Sequence, residues 1–333
     1  MEQTKERHWR RWVVLALMLL GLFLAYVVGG IFKPVMPFIS VAPEKILLEP
    51  IVPNFLGLGP LYLTNTLTTL VVTLILLFIL AYSTNRSLKK SQQTDLVPRG
   101  VGNAMEAILE MIYNLTESSA GQKWVRAIFP WFATILVYVL FANLLRLIPG
   151  FETIGVIHHA EEGVPGYSLQ PIAGHWYWYT AEPGESLLVG FFRGLSVDLN
   201  FTLALALISV VWTQVIGVRA QGAGYWSKYF NTRRMFKVPF FGAMDFLVGL
   251  LEIISELSKI LSFTFRLFGN MFAGVVLVAI VASLLGFITI VPAMLMMFEL
   301  FVGLIQAFVF GMLTMVFMAQ ATQGHGEEHA EAH

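Results

Sequence analysis

Between Glu252 and Asn270 the chain reads EIISELSKILSFTFRLFGN, an apolar stretch interrupted by Glu252, Ser255, Glu256, Lys259, Ser262, Arg266 and Asn270. On a helix that advances about 100° per residue, Glu252, Ser255, Lys259, Ser262 and Asn270 share an arc of about 80° with Arg266. Glu256 falls at the edge of that arc. Charged side chains at bilayer depth cost about 3 kcal/mol or more, so such a stripe faces a bundle interior or a water-filled path rather than lipid. Two chemistries are open to it. Glu256 and Lys259 have the i,i+3 spacing of an ion pair, so part of the stripe can be a buried salt-bridge network. Arg266 fits that reading poorly, because no Asp or Glu occurs between Glu256 and Glu299. A guanidinium stays protonated, so it can attract a carboxylate but cannot relay a proton. Its counter-charge must lie on another helix or another chain.

The last apolar run supplies one such carboxylate. Glu299 and Gln306 are seven residues apart, which puts them within about 20° of each other on a helix. Together they can pass protons through water or hold a cation. The plainer alternative is a neutral buried Glu that donates one hydrogen bond. Other chemistry is poorly provided for. There is no cysteine, so thiol catalysis and Cys-ligated metals are excluded. The segments HHAEE and HWYWY lack HExxH spacing, and we expect interfacial aromatics there rather than a metal site. His325, His329 and His333 read as part of a polar tail, QGHGEEHAEAH, expected to be disordered.

The elements that must hold these residues are membrane helices. Of the 333 residues 57 % are hydrophobic and 13 % charged, against about 25 % charged in soluble domains, which marks an integral membrane protein. A formal net charge of zero argues against nucleic acid as a partner. A span needs about 20 apolar residues. By that measure spans run over 12–32, 61–82, 128–148 and 199–218. The first follows the basic start KERHWRR, and we read it as an anchor rather than a signal peptide, since no clean A-x-A site follows. A Pro-rich segment follows it. From Val101 to Ser118 apolar residues recur at helical spacing, giving an amphipathic helix that either lies on the membrane surface or packs on a neighbour. A polar, aromatic loop is expected over 151–197. Residues 240–285 contain no proline, and at about 1.5 Å per residue approach twice a bilayer's thickness. They either break into two spans or form one steeply tilted helix. A last run covers 290–321.

With the N-terminus cytoplasmic, the loops on its side hold fifteen Lys and Arg, against Lys33, Lys45 and Arg193 on the other. This predicts N-in, six crossings and a cytoplasmic C-terminus. Arg146, near a span end, is expected to snorkel outward.

At this point the residues resemble a known family. SKILSFTFRLFGNMFAG is similar to the signature of the a subunit of F-type ATP synthases of the bacterial type, the stator half of the membrane Fo sector. LVPRGVGNAMEAILEMIYNL resembles that family's surface helix, FPWFATILVYVLFANLLRLIPG the following span, DLNFTLALAL the start of the next, and IQAFVFGMLTMVFM the last helix. The resemblance covers 61–321 apart from the outer loop. It implies an all-α integral membrane protein with about six embedded helices, a tilted C-terminal hairpin and one surface helix. It divides the chain into an extra N-terminal span and outer segment (1–60), a core (61–322, with 151–197 inserted) and a tail (323–333). Arg266 would face the carboxylate of the rotating c-ring and block direct leakage between two proton half-channels. Asn270 would line the same surface, Gln306 would lie near the arginine, and Glu252, Ser255, Lys259 and Ser262 would lie towards the cytoplasmic exit. Many bacterial members carry an acid at the position of Val275 and a histidine at that of Glu299, so the resemblance implies Glu299 as the inlet acid. It also implies a non-catalytic subunit with ATP chemistry done elsewhere, no cofactor or metal, and a plasma-membrane location. The partners would be the c-ring, the b subunits of the peripheral stalk, the remaining synthase subunits and lipid.

A reading of another class is a self-contained secondary transporter in which Arg266 binds an anionic substrate. Its halves would be expected to repeat, and no convincing repeat is seen. An intramembrane enzyme is less supported still, since no nucleophile–base or ligand spacing stands out.

Overall fold

The computed structural model describes residues 12, 40–54, 57, 59–93, 100–148, 151–152, 154–160, 166–173, 176–229, 239–285 and 290–323. Beyond Trp12, the expected N-terminal span lies outside these residues, as does the polar tail with its three histidines. Five helices carry the described chain: α1 Asn65–Gln93, α2 Val101–Arg146, α3 Leu199–Gln221, α4 Pro239–Leu285 and α5 Ile290–Thr322. Each is long and apolar enough to cross a membrane. The protein is a multi-pass membrane protein, mostly helical, as its composition demands.

Local chemistry sets several of the boundaries. Thr64 accepts the Leu67 amide at 3.3 Å and so starts α1 four residues or so later than the apolar run suggests. Asp198 caps α3 by accepting the Asn200 amide at 2.9 Å. Pro239 opens α4, where its missing N–H costs nothing. α4 then runs 47 residues without a break, about 70 Å. Of the two alternatives for 240–285, the single long helix is the one observed. The amphipathic segment and the third span merge into α2, with a kink at Gly121, whose φ of 72° and ψ of 166° lie outside helical space. A residue with a Cβ would be strained there.

Contacts divide the chain into two compact units. One holds residues up to Thr69, Arg146–Arg193 and Asn270–Val302. Here the expected loop contains a four-stranded antiparallel sheet: β1 Gly155–His159, β2 Gly166–Ala173, β3 Trp176–Gly184 and β4 Ser186–Gly190, in the order β1-β4-β2-β3. Within this unit Arg193 donates to the carbonyls of Ser40 and Ala42, and His158 lies 3.1 Å from the Ile46 carbonyl.

The other unit holds Leu70–Leu145, Gly194–Gly269 and the chain from Gly303. Its core joins Ile112, Ile128, Phe132 and Leu136 of α2, Ile216 of α3 and Met315, Met318 and Ala319 of α5. The first arm of α2 packs Ile108, Leu109 and Leu115 against that core, so its apolar face lies on neighbouring helices. Polar clamps recur inside: Ser209 and Thr314 are 2.7 Å apart, and Asn143 accepts from Ser196 at 2.6 Å and donates to the Gly303 carbonyl at 3.1 Å. Elsewhere the helices turn large apolar side chains outward, among them Phe78 at 72 % and Phe301 at 58 % exposure. Such surface suits lipid or partner helices.

Candidate functional site

The polar stripe of α4 is present as expected, but its members play different parts. Near its start the carboxylates are tied down. Glu256 Oε1 lies 3.0 Å from Lys259 Nζ and 3.5 Å from Lys228 Nζ, and Lys228 also reaches Glu252 at 3.5 Å. Lys228 donates to the Tyr225 hydroxyl at 2.8 Å and sits over the Tyr225 and Tyr229 rings, 4.2 and 4.6 Å from their centroids. The salt-bridge alternative therefore describes Glu256 and Lys259. Lys228 is a partner that the stripe's periodicity does not reveal, because it lies outside α4 in sequence. Lys259 also lies over the Phe317 ring at 4.9 Å.

Arg266 differs. It is half-buried, its Nη2 donates to Ser262 Oγ at 3.3 Å, and among the described residues no carboxylate lies within ion-pair distance. Phe263 and Leu267, on either side of it in sequence, are 2 % and 0 % exposed. Phe263 packs on Phe310 and Phe317 of α5 with ring centroids 5.1 and 5.6 Å apart. One face of α4 is thus anchored while Ser255 and Ser262 remain exposed on the stripe, as does Asn270 further on. Gln306 is buried, at 4 % exposure, beside Ala307.

The carboxylate of Glu299 has a partner that corrects two expectations. Its Oε2 accepts from Arg146 Nη2 at 2.9 Å, and the two side chains are 9 % and 8 % exposed. Arg146 therefore does not snorkel: it turns inward at the end of α2, where a buried carboxylate outcompetes the interface. Glu299, offered above as a counter-charge for Arg266, is engaged by Arg146 instead. Arg146 also holds Glu152 at 3.7 Å through Nε. The pair borders a cavity of about 300 Å³ whose wall includes Asn270, Gly274 and Phe298. Gly274 is what admits the carboxylate: a Cβ there would lie 2.6 Å from Glu299 Oε1. That glycine, just before Val275, gave no signal in the sequence beyond its place in NMFAG. Of HHAEE, His159 pairs with Glu185 at 3.0 Å on the open surface. Among the described residues no cluster of three metal-ligating side chains occurs.

Comparison with known proteins agrees with this architecture. The profile of the family described as ATP synthase A chain matches residues 66–319. The chain is 31 % identical over 242 residues to ATP synthase subunit a of Campylobacter jejuni subsp. doylei, covering 71 % of this chain and 84 % of that protein. It is 30 % identical over 258 residues to ATP synthase subunit a of Helicobacter pylori, covering 77 % and 89 % respectively.

Proposed function

From the premise that the chain belongs to the ATP synthase A chain family, we propose that it is the stator of the proton channel, with Arg266 as the charge opposite the c-ring carboxylate. One observation carries this reading: a permanent cation within an apolar span, half-buried, with no carboxylate in ion-pair range among the described residues. An unpaired charge at that depth needs an anion from outside the chain. The acids on the neighbouring positions cannot serve, since Glu256 is held by Lys259 and Lys228 and Glu299 by Arg146. A ring carboxylate arriving at Arg266 would be favoured in its ionised form and would surrender its proton before passing. Because the guanidinium does not release its own proton, it separates two aqueous half-channels.

Glu299 supplies the inlet, with Asn270 and Gln306 near the transfer surface. Glu252, Ser255, Lys259 and Ser262 border the outlet. The core of the subunit is 61–322, with 151–197 as an insertion and 1–60 as an additional anchor. Both termini face the cytoplasm of a bacterium, and the b subunits of the peripheral stalk hold the chain against the ring's rotation. The test is Arg266→Ala in the assembled synthase. Proton-driven ATP synthesis should vanish while the complex still assembles and hydrolyses ATP. Normal synthesis by an assembled mutant would remove the central claim.

A further inference from the structure

Arg146 is shared. Its Nη2 holds Glu299, buried, at 2.9 Å, and its Nε lies 3.7 Å from Glu152, whose side chain is 39 % exposed. Two acids of very different accessibility thus compete for one guanidinium. The second oxygen of the inner acid, Glu299 Oε1, is buried and has no hydrogen-bond partner among the described residues. A buried oxygen left unpartnered is costly and is a ready acceptor for a proton or a water. The adjoining cavity of about 300 Å³ has room for several waters at about 30 Å³ each.

We propose that Glu152 collects protons at the mouth of the inlet and that Arg146 is the positioning switch that alternates between the two acids as each proton moves on to Glu299. With both acids ionised the three groups sum to −1, and one proton brings them to zero, so the cluster takes up a single proton. A hydronium ion gives its proton to the exposed Glu152 carboxylate, where an O–H bond forms and water is released. Neutral Glu152 no longer draws the guanidinium, which stays on Glu299. The proton then moves through cavity water: the O–H bond at Glu152 breaks and one forms at Glu299 Oε1, the oxygen that Arg146 does not hold. Glu152 is again an anion and Glu299 is neutral, so Arg146 swings to Glu152, already within 3.7 Å. Glu299 is released to pass its proton onward, and the cluster returns to −1. Arg146 neither gains nor loses a proton in any step. Glu44 also lies within electrostatic range of Glu152 and Arg193, and completes the charged groups around the mouth.

This inference rests on Glu299 as the inlet acid, and the experiment separates the two claims. Glu152→Gln, Glu152→Asp and Glu299→Gln are made in the whole synthase, reconstituted in vesicles, and ATP synthesis is followed against the pH on the inlet side. Glu152 is partly exposed, so its amide variant is expected to assemble normally. Glu152→Gln should slow synthesis by about tenfold or more at alkaline inlet pH and move the midpoint of the profile acidward by about one unit. Glu152→Asp should restore the profile. A Glu152→Gln profile equal to wild type, or lowered equally at every pH, overturns the collecting role if Glu299→Gln is inactive. Normal flux in Glu299→Gln overturns the inlet reading itself.

Discussion

Gly274→Ala is the sharpest test of how the inlet is built. The added Cβ would stand 2.6 Å from Glu299 Oε1, and ordinary contact requires about 3.4 Å, so the carboxylate must withdraw by about 0.8 Å. The carboxylate is rigid, and its other oxygen is pinned 2.9 Å from Arg146 Nη2. If the whole displacement is directed away from Arg146, the pair opens to about 3.7 Å, which sets the upper bound of the effect. At an effective dielectric constant of about 20 this weakens the attraction by about 1 kcal/mol. Loss of the charge-assisted hydrogen bond adds about 1.5–3 kcal/mol. A total near 3 kcal/mol corresponds to roughly a hundredfold fall in the population holding the paired geometry. Proton flux through reconstituted synthase should therefore drop by at least about tenfold, with the complex assembled and its ATP hydrolysis intact. Adding Glu299→Asp shortens the side chain by about 1.5 Å and should recover much of the loss. Wild-type flux in Gly274→Ala would refute the reasoning, and so would a loss that the shorter acid makes worse.

Two further outcomes are expected. Phe263→Ala removes a 2 % exposed ring that packs on Phe310 and Phe317; it should cost about 3–5 kcal/mol, seen as a lower temperature for loss of the subunit from purified synthase. Glu44→Gln concerns the segment outside the spans, where burial holds the Glu44 carboxyl above its ordinary range despite the opposing pull of Arg193. A raised carboxyl stabilises the folded segment fully below about pH 4 and loses that contribution as pH rises through its folded value. The amide keeps a partner for Asn65, 3.4 Å away, without the charge, so protease resistance of residues 40–64 should become less dependent on pH; an unchanged pH dependence would count against burial as its cause.

The helices were legible because a span is a matter of length and apolarity, which neighbours do not alter. The expected start of the long run at 240 and its end at 285 differ from α4, Pro239–Leu285, by one residue, since no proline or glycine pair interrupts it. The sheet was not legible. Its strands are short, β2 and β3 each contain a proline, and none repeats a clean alternation. The site divided in the same way. The stripe around Arg266 follows from helical periodicity alone. Arg146 was misjudged because its partner, Glu299, is 153 positions away, and a cation near a span end looks the same in sequence whether it turns out or in. Lys228 escapes sequence reading for a like reason: its two-ring and two-acid surroundings arise only when a 3-10 turn, Gly222–Lys228, brings it to α4.

An unbroken helix is also an insulator along its own axis. Within α4 the backbone amides and carbonyls are committed to one another over 47 residues, so no proton can step along the main chain. Only side chains remain, and on the stripe they recur every three or four residues, about 4.5–6 Å apart along the axis. A proton steps between oxygens about 2.7 Å apart. The helix therefore carries at most every other contact of a conducting line, and the contacts between must come from water or from the ring. Wherever a tight surface excludes water, the line is open-circuit, and conduction there waits for the moving partner to bring its own carboxylate.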